Sequence, residues 1–314
     1  MADGSISLGR KDTAKKVFLM SRPPFHIVGI LPFVLGTVLA NRLTGIFKVP
    51  VFLLSLFAVI LVMLLTYYNG EYYDIKEDAL AAKMGKNTFS GGSQVIAQNM
   101  LPRKYAKIGS YISLAIAVCI GLLLQFYFKT GIWTIALGAI GIFLGYFYSN
   151  PPIRWVSRGV GELFIGFAYG WLTISTAFYI QAGHFSTAAN WISIPIALSI
   201  FNVILINEFP DYSADSLAGK RNIVVRIGKE KSAIIYISSV VLMWVFFGLS
   251  IFNGTPLMTV YFGIPFFLIA VFIVLSLIKK AYLDHKKLEM LCGMTLVINI
   301  GITLTYIFGI AFGY

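Results

Sequence analysis

Asn207-Glu208-Phe209-Pro210-Asp211-Tyr212-Ser213-Ala214-Asp215 closes a long apolar segment, residues 190–209, and is followed by Lys220 and Arg221. Asn207, Asp211 and Asp215 stand four apart, and residues four apart on a helix share one face. An amide and two carboxylates then point into the same space. Carboxylates at that spacing repel unless a positive charge lies between them. A hard divalent cation such as Mg²⁺, which takes oxygen ligands and keeps phosphate and water as partners, meets that need.

A second cluster has the same character. Glu71, Asp74, Glu77 and Asp78 follow another apolar segment, and Asp74 and Asp78 are again four apart. Together with Glu208, Asp211 and Asp215 they make up seven of the 13 acidic residues, so negative charge is concentrated in two places. The alternative is a solvated, negative helix end at a membrane surface. The repeated spacing and a nearby lysine favour a site instead.

The whole composition points to a membrane. The chain has 314 residues, 58% of them hydrophobic and 12% charged, with a mean hydropathy of +0.82. A water-soluble fold cannot hide that much apolar surface, and apolar segments of about 20 residues recur along the chain. The expected fold is therefore an all-α, polytopic membrane protein of about nine transmembrane helices around a central cavity. The expected spans are 23–42, 49–69, 107–128, 131–149, 159–182, 190–209, 231–252, 256–278 and 289–312. Residues 1–20 read as a cytosolic N-terminal tail without signal-peptide proportions, and residues 21–314 as one transmembrane domain.

The net charge of +12 raises the question of nucleic acid, but its placement excludes that reading. With the N-terminus inside, 22 of the 25 Lys and Arg, Lys86 among them, fall in inner segments, leaving Arg42, Lys48 and Lys129 outside. That asymmetry follows the positive-inside rule. It places both acidic clusters, which follow the second and sixth spans, on the cytosolic face of a cell membrane, with Tyr314 facing outward. The inner loops 70–106 and 210–230 are the longest, and long loops in a compact domain are usually functional. Cys119 and Cys292 read as buried thiols, and His26, His184 and His285 lack metal-ligand spacing.

Between the fourth and fifth spans lies Tyr148-Ser149-Asn150-Pro151-Pro152-Ile153-Arg154-Trp155, then Arg158-Gly159-Val160-Gly161-Glu162. This is either a positive inner loop or, beside the acidic clusters, an anion clamp. Glu162 is expected to pair with Arg154 or Arg158. The aromatic content is 15%, and Phe164, Phe167, Tyr169 and Trp171 in the fifth span suggest an aromatic-lined cavity able to attract an allylic cation.

These motifs resemble the UbiA superfamily of intramembrane prenyltransferases. Asn207-x3-Asp211-x3-Asp215, with Gly219-Lys220-Arg221-Asn222 and Val225-Arg226-Ile227-Gly228, is similar to that family's second aspartate-rich motif. Glu71-x2-Asp74-x3-Asp78 is similar to the first, with one departure: Gly70 stands where the family usually has asparagine, and the asparagine is Asn69. Either the helix end shifts by a residue or Asn69 does not play the usual part. Arg22-Pro23 and Tyr148-Ser149 also match family positions. The loop Thr88-Phe89-Ser90-Gly91-Gly92-Ser93, with Leu101-Pro102-Arg103, is most like the branch that prenylates 1,4-dihydroxy-2-naphthoate in menaquinone synthesis.

The resemblance implies Mg²⁺ as cofactor, held by Asp74, Asp78, Asp211 and Asp215, and polyprenyl diphosphate and an aromatic acceptor as partners. Arg22, Asn69, Glu71, Tyr148, Ser149, Arg154, Asn207 and Lys220 are the implied substrate-binding residues. No obligatory protein partner is evident. Acceptors such as 4-hydroxybenzoate, homogentisate or a glycerol-phosphate lipid are alternatives within the family. A secondary transporter is the alternative of another class, disfavoured because the carboxylates cluster at one face and not at the midplane.

Overall fold

A computed structural model describes residues 9–85 and 87–313. Residues 1–8 of the expected tail, Lys86 and Tyr314 lie outside the described residues. Among the described residues the fold is all helical, with no strand. In order, the helices are α1 (Arg10–Met20), α2 (Ile27–Thr44), α3 (Val49–Tyr73), α4 (Ile75–Lys83), α5 (Lys104–Leu122), α6 (Trp133–Tyr146), α7 (Gly161–Phe167), α8 (Thr173–Ala182), α9 (Thr187–Ala218), α10 (Ile223–Phe252), α11 (Met258–Ile278) and α12 (His285–Gly313). A π turn, Ala168–Leu172, joins α7 to α8 as one span, and another extends α5 to Tyr127.

Eight of these elements are long and apolar enough to cross a membrane, so the chain is a multi-pass integral membrane protein. The expected fourth span is present as α6 but has only 14 residues. At 1.5 Å per residue that is about 21 Å, short of a hydrocarbon core of about 30 Å. The large apolar residues of α11 that face away from the bundle, among them Ile264, Phe267, Leu268 and Phe272, are exposed, as a lipid-facing helix requires.

α9 is the centre of the bundle and packs on α10, α12 and α7. Ser186 caps its start, accepting from the Ala189 backbone N–H. Gly219, at φ 82°, ends it in the left-handed conformation that glycine takes without steric cost. The helix therefore runs straight through the 207–215 motif. Only residues 219–222 separate α9 from α10, so the expected loop 210–230 is mostly helix.

The main core gathers α2, α8, α9, α10 and α12 around residues such as Leu35, Phe178, Phe209, Tyr236 and Tyr306. α2 meets α8 closely because Gly36 leaves no room: a Cβ there would collide with the Ile174 carbonyl and the Ala177 side chain. A second core joins α2, α3, α5, α6 and α8.

Candidate active site

The two acidic motifs meet at one end of the bundle, around a cavity of about 190 Å³. Glu71 comes from the end of α3, Asp74 from the junction before α4, and Glu77 and Asp78 from the first turn of α4. Facing them, Asn207, Glu208, Asp211 and Asp215 project from α9. Arg22, Tyr148, Ser149 and Lys220 complete the polar wall. The four-residue spacing thus does what helix geometry demands, and the two halves of the expected site do face each other.

Asp74, Asp211 and Asp215 are each held by this chain's own donors. Asp74 accepts from Ser149 Oγ at 2.7 Å and from the Arg154 guanidinium at 2.8 Å. Arg154 also donates to Glu77 at 2.6 Å, so it clamps α4 from behind the cavity. Asp211 accepts from Ser90 Oγ at 2.8 Å and from the Gly91 backbone N–H at 2.9 Å. Asp215 accepts from Asn222 Nδ2 at 2.8 Å and lies 3.4 Å from Lys220 Nζ. Asn222 meanwhile caps α10 through the Val225 N–H, so one side chain fixes both the helix start and a site carboxylate.

The loop 90–93 forms a strap across the two motifs. Beyond its contacts to Asp211, the Ser93 N–H donates to Glu71 at 2.7 Å. Gly92 lies against Asp78 at φ 63°, where a side chain would collide with the carboxylate. In the sequence this stretch reads as a branch feature, and its contacts with the carboxylates are not evident there. Two consecutive glycines beside serines were the available signal.

Burial, with the charges of Glu71 and Asp74, holds the Asp78 carboxyl well above the usual carboxylate range. Burial alone would lower the Lys220 pKa, but the surrounding Asp215, Asp74 and Asp211 hold it well above the ordinary lysine value. Lys220 is a fixed cation between the two acidic walls. The Arg22 guanidinium lies 4.7 Å from the centroid of the Phe25 ring and 6.0 Å from that of Tyr67, at cation–π range.

Three expectations are corrected. Asn69 does not line the cavity: its Oδ1 accepts from Ser110 Oγ at 2.7 Å and its amide points to the Tyr146 carbonyl, so it binds α3 to α5 and α6. Gly70 takes the cavity position. Glu162 pairs with neither Arg154 nor Arg158; it accepts from the Ile223 N–H at 2.7 Å, and the arginines are engaged elsewhere. Of the four aromatics expected to line a cavity from the fifth span, only Tyr169 does so. Phe164 packs on Trp155, and Phe167 stacks on Trp171.

A second, apolar cavity of about 140 Å³ adjoins the first, sharing Thr66, Ile165 and Tyr169 with it. Leu124, Leu137, Leu144 and Leu172 supply its walls, and Gly121, Gly138 and Gly141 leave it open.

Mg²⁺ suits this donor set, which is carboxylate oxygen without histidine or thiolate. Among the described residues no three acidic, histidine or cysteine side chains converge on one point. Mg²⁺ takes one or two carboxylates per ion and shares the rest of its shell with phosphate oxygens and water.

Residues 29–299 match the UbiA prenyltransferase family. The chain is 26% identical over 246 residues to the 1,4-dihydroxy-2-naphthoate octaprenyltransferase of Bacillus subtilis (strain 168), covering 77% of this chain and 76% of that one. It is 26% identical over 232 residues to the 2-carboxy-1,4-naphthoquinone phytyltransferase of Synechocystis sp. (strain ATCC 27184 / PCC 6803 / Kazusa), covering 73% and 72%. Among solved structures, one reported for digeranylgeranylglyceryl phosphate synthase superposes with a TM-score of 0.66 at 17% identity, over 95% of this chain and 98% of that one. A UbiA homologue from Archaeoglobus fulgidus bound to DMAPP and Mg²⁺ superposes with a TM-score of 0.59 at 14% identity, over 92% and 99%.

Proposed function

Because the chain belongs to the UbiA prenyltransferase family and is thus a prenyltransferase and not a transporter, we propose that it transfers a polyprenyl chain from its diphosphate to 1,4-dihydroxy-2-naphthoate and releases diphosphate. The carrying observation is a polar chamber, lined by both acidic motifs and two cations, that adjoins an apolar cavity. A polyprenyl diphosphate has the same two-part chemistry. The naphthoate acceptor is supported by the names of two relatives and by the 88–93 loop.

Asp74, Asp78, Asp211 and Asp215 would hold Mg²⁺ on the two sides of the diphosphate, where the bound metal supplies neutralisation of the departing charge. Lys220 and Arg22 add charge-assisted contacts to the phosphate oxygens. As the allylic C–O bond lengthens, positive charge grows on carbon, and Tyr67, Tyr148, Tyr169 and Phe25 offer ring faces from the chamber wall. Arg154 and Ser149 keep Asp74 oriented. The apolar cavity takes the tail, which gains about 0.8 kcal/mol per buried CH₂. The enzyme sits in the cell membrane with this chamber at the cytosolic face.

The test is the product mass after incubation of purified protein with polyprenyl diphosphate, Mg²⁺ and a panel of acceptors. A prenylated product lacking the naphthoate carboxyl group is expected. Transfer only to 4-hydroxybenzoate, homogentisate or a glycerol phosphate would overturn the acceptor assignment.

A further inference from the structure

Two groups of basic residues at the motif end of the bundle keep different company. Lys279, Lys280, Lys286 and Lys287 have Asp284 and Glu289 among them, and Lys280 Nζ lies 2.9 Å from a Glu230 oxygen. The other group is Arg10, Lys11, Lys15 and Lys16 on α1, with Arg103, Lys104 and Lys107 at the start of α5. Asp12 is the one acidic residue of these two segments. No Asp or Glu occurs between Asp12 and Glu71, or between Asp78 and Glu162. The four acids from Glu71 to Asp78 line the chamber instead. Among the described residues, no ion pair involves a cation of this second group.

Neutral partners hold these cations in place. Arg103 Nε donates to the Tyr72 carbonyl at 2.9 Å, and the guanidinium lies 3.7 Å from the centroid of the Tyr72 ring. Lys107 Nζ lies 5.2 Å from the same ring and 5.9 Å from that of Tyr111. Lys16 Nζ donates to the Met100 carbonyl at 3.0 Å, so α1 brings a charge to the turn that carries Arg103. α1 is anchored there by Met20 and Val17, which pack with Tyr68, Leu101 and Ala106. A carbonyl or a ring face orients a cation without cancelling its charge. The positive-inside rule accounts for lysine and arginine at this end, but not for their being fixed without acidic partners.

The surface beside them is apolar. Phe18 and Leu19 on α1, and Ile108, Tyr111 and Ile112 in the first turns of α5, are exposed. Charges at the helix ends next to a greasy face match a phospholipid, with its phosphate at the interface and its acyl chains below. A zwitterionic headgroup carries its own cation, so surplus positive charge selects an anionic one.

We propose that α1 and the start of α5 form a binding site for an anionic phospholipid of the surrounding bilayer. Arg103 and Lys107 hold the headgroup phosphate, Lys16 and Lys104 add to the field, and the acyl chains lie along Ile108 and Ile112. The site is separate from the prenyl-transfer chamber and does not depend on which acceptor the enzyme uses.

The experiment is native mass spectrometry of the purified protein titrated with phosphatidylglycerol, or with phosphatidylcholine of the same chains. Wild type should bind phosphatidylglycerol the more tightly. Each cation at an anionic headgroup is worth roughly fivefold in affinity. Joint Arg103→Gln and Lys107→Gln substitution should therefore weaken phosphatidylglycerol roughly 25-fold and leave phosphatidylcholine unchanged. Joint Lys286→Gln and Lys287→Gln substitution, in the group that has acids nearby, should leave both lipids unchanged. Equal wild-type binding of the two lipids, or equal losses in the two double variants, would overturn the proposal. Displacement of phosphatidylglycerol by an equal concentration of inorganic phosphate would also overturn it, because the site would then serve a free anion. If the Arg103 and Lys107 double variant does not fold, Lys104→Gln at an exposed side chain replaces it. A roughly fivefold loss of phosphatidylglycerol then supports the site, and no loss overturns it.

Discussion

Asn69 and Gly70 differ by one position, which on an α-helix is a rotation of about 100°. That rotation turns the Asn69 amide out of the chamber and against Ser110, while Gly70 lines the cavity beside Asp74. The sequence showed both residues but not which side of α3 meets the site, because this depends on where α5 packs. Replacing Asn69 with Ala leaves the buried Ser110 hydroxyl without its acceptor, a loss worth about 1–3 kcal/mol. Thermal denaturation in detergent should therefore show a destabilised Asn69→Ala that still binds geranyl diphosphate normally. Normal stability with lost binding would return Asn69 to the site. Arg154 carries a similar lesson. The sequence left open whether it sat in a positive inner loop or an anion clamp, and its engagement with Asp74 and Glu77 depends on how the 148–158 loop folds back, which no local spacing encodes.

At the scale of elements, helix periodicity was the readable part. The spacing of Asn207, Asp211 and Asp215 gave one face of α9, and the nine expected spans all have helical counterparts, the fourth of them short. What could not be read was where that helix ends, since the expected loop begins at Pro210 whereas α9 runs on to Ala218. The strap at 90–93 was legible only in its paired glycines, whose left-handed backbone lets the Gly91 and Ser93 N–H groups reach Asp211 and Glu71. α6 offers a direct test of the apolar cavity. Nothing lies within 4 Å of a Cβ built at Gly138, which lines that cavity. A phenylalanine there fills the space a tail would use without displacing a neighbour at Cβ. Gly138→Phe should lower kcat/KM for a long polyprenyl diphosphate well below that for geranyl diphosphate, compared by competition in one reaction. An equal loss for both donors would mean the tail runs elsewhere.

For the whole molecule, the charge placement predicts one arrangement, with both motifs at the cytosolic end. A single cysteine at Lys83, in a background lacking Cys119 and Cys292, should react with an impermeant thiol reagent only in inverted vesicles, whereas one at Lys129 should react in intact cells. Labelling of Lys83→Cys from outside would invert the topology. The proposed function has residues far apart in sequence hold one diphosphate between α3–α4 and α9. It is tested most directly by Mg²⁺-dependent prenyl transfer of purified Asp74→Asn and Asp211→Asn, with folding checked by size exclusion. One well-placed electrostatic group is worth about 10²–10³ in rate, so each variant should lose at least about 10²-fold, and Lys220→Ala less. A folded Asp211→Asn with near wild-type turnover beside an inactive Asp74→Asn would contradict the shared site.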